Sequence, residues 1–210
     1  MPLTFPAHQG LILPVARRWP QYFDALALSV GAAMPDITDS VLGFLLNGYF
    51  KQWYGHALVG IVTFDLMGGL LITWLIAVVA RRLLNYTDLP RPLRSFFTNT
   101  PNSDPAANRN IVRRDQTRLG LWSFSVLVGI LSHIGFDLIS HDTNLLLYPW
   151  YENARWFPGW WYTTWFEIQP LPMFGESYAV GLFTVIWCIL SLLGIFLFFQ
   201  FLSPKHENKV

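Results

Sequence analysis

Three apolar runs constrain this chain more than any other feature. His56 to Ala80, Leu119 to His141 and Tyr178 to Leu202 each reach the length needed to span a bilayer, about 20 residues. Only 13% of the 210 residues are charged, against about 25% in a soluble domain. The expected fold class is therefore all-α: a polytopic helical integral membrane protein, one membrane domain over residues 1–210.

The first fifty residues break into shorter pieces. Leu11–Val15, Ala25–Met34 and Val41–Phe50 are apolar, and Pro20 and Pro35 bracket the second. Proline ends or starts helices more readily than it continues them. Residues 8–50 are thus expected to form a helical hairpin followed by a short helix, with the turn near Arg17, Arg18, Trp19 and Pro20. Residues 81–118 form a connection holding Arg81, Arg82, Arg91, Arg94, Arg109, Arg113, Arg114 and Arg118 against Asp88, Asp104 and Asp115. The positive-inside rule places that loop in the cytoplasm. Lys205 and Lys209 put the C-terminus there too. Residues 142–176 then face outward, with Trp150, Trp156, Trp160, Trp161 and Trp165 suited to a membrane–water interface. No basic stretch precedes an apolar run at the N-terminus, so no cleavable leader is expected. The lone Cys188 excludes a disulfide scaffold and a thiolate zinc finger.

Ionisable groups within such runs are costly and by default mark a site. His133 and Asp137 stand one helical turn apart, on one face. With His8, Asp36 and His56 they make an imidazole–carboxylate set suited to zinc and similar divalent ions. The proposed hairpin would bring His8 and Asp36 together at its open end, at the outer level occupied by His56 and His133. Asp39 and His141 are reserve ligands. Asp65 is nine residues from His56, on the opposite face at 100° per residue. It is a reserve ligand best read as a packing partner or a support to a histidine Nδ1. Glu152, Glu167 and Glu176 are minor acid–base candidates.

Four motifs carry a resemblance: FPAHQGLILPVARR, AAMPDITDSV, WYGHALVGIVTFDLMGGLL and LSHIGFDLIS. In this order they resemble domain-of-unknown-function family 4184, a bacterial family of small membrane proteins. That family is similar to inner-membrane-associated, metal-dependent hydrolases. The ligand order also resembles that of the phospholipase C and P1-type nuclease group. The resemblance implies His8, Asp36, His56, His133 and Asp137 as metal ligands. The chain departs from the hydrolase pattern at Thr38 and Asp39, where relatives carry Asp-His, and in having only His56 where relatives carry two histidines.

The resulting expectation is a metal-dependent hydrolase of the bacterial inner membrane, with its site toward the outer face. The cofactor is a divalent metal, Zn2+ first. Asp137 or Asp36 would be the catalytic base. The substrate would be a phosphoester in a membrane lipid or lipid-linked molecule, and no nucleic-acid partner is expected. A metal or proton transporter and a non-catalytic assembly protein are the alternatives.

Overall fold

The computed structural model describes residues 4–45, 54–84, 111–141, 146–148, 150, 155–168 and 178–203. Helix α1 (Thr4–Arg18) is regular once past Phe5 and Pro6. A turn through Trp19–Phe23 reverses the chain into α2 (Ala25–Gly31). Asp24 caps α2, its carboxylate accepting from the Ala27 N–H at 2.9 Å, as N-cap residues do. The expected hairpin is therefore present. Two residues later α3 (Met34–Leu45) begins, bent by 46° from α2. Pro35 falls in the first turn of α3, where its missing N–H costs nothing.

Tyr54–His56 form a 3₁₀ turn. Helix α4 then comprises Leu58–Gly60, a π-helical turn at Ile61–Asp65, and Leu66–Leu84. Helix α5 is Ile111–Ser140. Strands β1 (Thr164–Ile168) and β2 (Tyr178–Gly181) pair antiparallel. Helix α6 is Leu182–Leu202. Among the described residues, three segments are long and apolar enough to cross a membrane: Leu58–Ala80, Arg118–Ser140 and Leu182–Leu202. The bent pair α2–α3 would count as a fourth.

Two expectations are corrected. The chain is not purely helical, because β1 and β2 form a hairpin. The third apolar run enters its helix at Leu182, not Tyr178, since Tyr178–Gly181 are held by pairing with Thr164–Ile168. The arginine-rich residues 81–118 lie between two of the candidate spans, with α4 running on to Leu84 and α5 starting at Ile111. Arg91, Arg94, Arg109, Glu152, Glu176, Lys205 and Lys209 lie outside the described residues, as does the second half of the Val41–Phe50 run.

The core sits between α2, α4 and α5, where Leu26, Val30, Met34, Ile61, Val126 and Ile130 are buried together. Glycines let the backbones approach. A Cβ on Gly31 of α2 would lie 2.2 Å from the Val126 carbonyl oxygen, and one on Gly194 of α6 would lie 2.1 Å from that of Ala7. Two levels can be read along α5. Ser125 Oγ accepts from the Asp24 N–H at 2.9 Å and the Trp122 indole donates to Asp24 at 3.2 Å, so the hairpin turn lies at this level. About 18 Å further on, at 1.5 Å per residue, lies Asp137. Just beyond it, the Trp161 indole donates to the Ile139 carbonyl at 3.3 Å.

Candidate metal centre

Four segments deliver the five residues to one place. His133 and Asp137 come from α5, with Asp137 Oδ2 3.2 Å from His133 Nε2. His56, on the 3₁₀ turn before α4, brings its Nε2 to 3.1 Å from the same Oδ2 and 3.2 Å from His133 Nε2. Asp36, in the first turn of α3, holds Oδ1 3.8 Å from both of these imidazole nitrogens. His8, from α1, stacks on His133 with ring centroids 4.1 Å apart. Its Nε2 is 3.7 Å from Asp137 Oδ1. The hairpin does bring His8 and Asp36 to the level of His133.

The ring nitrogens have fixed roles. His133 Nδ1 is 2.7 Å from the Ala32 carbonyl oxygen, which can only accept, so Nδ1 carries the proton. In the neutral ring Nε2 is then a lone pair. The Ala32 carbonyl is available because the chain breaks between α2 and α3, leaving helix-end carbonyls without intrahelical partners. His56 Nδ1 lies 2.7 Å from Asp39 Oδ2, and a carboxylate likewise makes it the donor. Two imidazole lone pairs and a carboxylate oxygen thus meet within 3.1–3.2 Å. Such a cluster needs a positive charge among it, supplied by a proton on an imidazole Nε2 donated to Asp137 or by a bound cation.

The spacing suits an ion. Zinc–nitrogen and zinc–oxygen bonds of about 2.0–2.2 Å in a tetrahedral shell put neighbouring donors about 3.3–3.6 Å apart. The distances here run from 3.1 to 3.8 Å. His8, His133 and Asp137 form one group of donors within 4.8 Å of one another, and Asp36, His56 and His133 form another. Two buried atoms at the site, His8 Nδ1 and Asp137 Oδ1, have no hydrogen-bond partner among the described residues.

The reserve residues resolve into separate roles. Asp39 faces His56 Nδ1 and accepts from the Gly55 N–H at 2.6 Å, so it orients the His56 ring. His141 Nδ1 is 3.4 Å from Asp137 Oδ1 and 3.0 Å from Ser140 Oγ, at the rim. Asp65 does not support a histidine. Its Oδ1 accepts from Thr38 Oγ1, while the His56 and His133 Nδ1 atoms are taken by Asp39 and Ala32. The angular argument assumed one regular helix from His56 to Asp65, but a 3₁₀ turn and a π-helical turn lie between them. Glu167 is exposed on β1. The Ala32 carbonyl and Thr38 were not anticipated. Pro35 signalled the break that frees the first, and nothing in residue type signalled the second.

The chain matches the family model described as Domain of unknown function (DUF4184) over residues 1–203, and it belongs to that family. No curated protein and no solved structure matches it.

Proposed function

We propose that this DUF4184 chain is a membrane-embedded, metal-dependent hydrolase acting on a phosphoester in a lipid or lipid-linked substrate. The observation that carries the reading is the convergence of His8, Asp36, His56, His133 and Asp137, with the His56 and His133 Nδ1 atoms held by acceptors. A partner on the far nitrogen is how ligating histidines are oriented. The mixed imidazole–carboxylate donor set favours zinc. With its Nδ1 engaged, His133 offers a single nitrogen, so the two overlapping groups of donors are read as one centre holding one ion. Such an ion would supply Lewis-acid polarisation of the scissile group and lower the pKa of a water to about 7.

The two catalytic candidates separate by environment. Asp137 is engaged by His56 and His133, and its side chain is 10% exposed. Asp36 is farther from the imidazoles and 26% exposed. Asp36 is therefore assigned as the base that accepts the proton of the attacking water, and Asp137 as a ligand. All five donors lie at one level instead of tracing a path across the apolar spans, which favours hydrolysis over transport.

The setting is the bacterial inner membrane, with the arginine-rich connection and the C-terminus cytoplasmic. Arg17 and Arg18, at the end of α1 away from His8, agree with that orientation. The metal centre then lies toward the outer face. There Trp156, Trp160, Trp165 and Phe166 expose their rings, as residues at the headgroup level do. An isolated two-stranded hairpin is marginal in water, and an interfacial position would cover it. This setting supports a substrate drawn from the membrane.

The test is release of a phosphorylated headgroup or inorganic phosphate from phospholipid vesicles by zinc-loaded protein. Asp36→Asn is expected to slow turnover by roughly 10²- to 10⁴-fold, the usual contribution of a general base, while retaining zinc. Zinc-loaded wild type that turns over no phosphoester, or an Asp36→Asn variant with unchanged turnover, would contradict the assignment.

A further inference from the structure

Asp65 is unexplained by the site as described. It is fully buried within the Leu58–Ala80 span. An ionisable side chain at such depth is costly, and an apolar residue would pack there more cheaply. A π-helical turn, a feature that recurs at functional sites, ends at Asp65. Among the described residues, its side chain accepts a hydrogen bond from Thr38 Oγ1, itself buried. Thr38 stands near the start of α3, between Asp36 and Asp39. Those two carboxylates address opposite ends of one ring: Asp36 faces His56 Nε2 at 3.8 Å and Asp39 faces His56 Nδ1 at 2.7 Å.

This arrangement needs α3 to sit at one rotation about its axis. A step of one residue turns a helix by about 100° and would swing both carboxylates off the imidazole. The hydrogen bonds made by Asp39 cannot set that rotation alone, because their partners, the Gly55 N–H and His56 Nδ1, belong to the short turn being positioned. Thr38 is different, since its partner is on the long helix α4.

We propose that Asp65 is a positioning residue: through the hydrogen bond from Thr38 it fixes the rotation of α3, so that Asp36 and Asp39 reach opposite ends of His56. This rests on the metal-centre reading. It assigns Asp65 a role without direct ligation and gives Thr38, the residue between two carboxylates, a reason to carry a hydroxyl.

Titration of metal-stripped, detergent-purified protein with Co2+, followed by visible absorption, tests it. Thr38→Val and Asp65→Leu each remove the hydrogen bond at near-constant volume. Each is expected to weaken Co2+ binding by about 10- to 100-fold, the scale seen when groups supporting a ligand are lost, and to change the ligand-field bands. The double variant should be no weaker than the worse single one. Thr38→Ser and Asp65→Asn keep a donor and an acceptor and should stay within about threefold of wild type. Wild-type affinity and spectrum in Thr38→Val, or a loss in Asp65→Asn as large as in Asp65→Leu, would overturn the proposal alone. Wild-type protein that takes up no Co2+ would remove the metal-centre reading and this inference with it.

Discussion

A histidine presents one nitrogen to an ion reliably only when something holds the other. His133 and His56 solve this differently. His133 Nδ1 donates to the Ala32 backbone carbonyl, which no side-chain substitution removes. His56 Nδ1 relies on the Asp39 side chain. Asp39→Ala is therefore expected to weaken Zn2+ binding by about 10- to 100-fold without unfolding the protein. Competition with a chromophoric chelator measures the first and thermal denaturation the second. Unchanged affinity would mean that His56 is oriented by its turn alone. At this scale the sequence is informative where chemistry is local. The i, i+4 spacing of His133 and Asp137 is enough by itself to put both on one helix face. Asp39 is legible as a polar residue near the site, but its task is not. Whether a carboxylate reaches an ion or a ring nitrogen depends on how α3 is rotated, and that is decided by tertiary contacts such as Thr38 with Asp65.

Among the elements, helix breaks shape the site as much as helices do. The α2–α3 break releases the Ala32 carbonyl, the 3₁₀ turn carries His56, and a π-helical turn leads to Asp65. Helix α1, which brings His8, crosses α6 closely at Gly194. Gly194→Leu is expected to destabilise the fold by about 1–3 kcal/mol through overpacking. It should also weaken metal binding by displacing His8. Leu193→Ala, on the exposed face beside it, should do neither. Thermal unfolding in detergent and metal titration read both effects, and a Gly194→Leu variant that matches Leu193→Ala would show that the crossing is not needed. The spans and the N-terminal hairpin are legible in the sequence because apolar length and proline position report directly on helices. The β-hairpin is not. Thr164–Ile168 is rich in residues that favour strands, but the same Trp, Phe and Ile also suit an interfacial belt, and composition does not distinguish the two.

The whole molecule joins a partly exposed carboxylate, Asp36, to a cluster otherwise buried among apolar helices, at the end where the tryptophans cluster. The opposite end carries the hairpin turn with Arg17 and Arg18. Such polarity suits chemistry at a membrane surface, where water comes from one side and an amphipathic substrate from the other. The proposed function depends on one ion held by His8, His56, His133 and Asp137, with Asp36 beside it. The most direct measurement is the metal content of the detergent-purified protein, with X-ray absorption at the metal edge and the same analysis of His133→Ala. The expected result is about one zinc per chain, in a shell of imidazole nitrogen and carboxylate oxygen without sulfur, and its loss in His133→Ala. Protein with no stoichiometric metal, or a His133→Ala variant that retains the full complement, would contradict the centre itself.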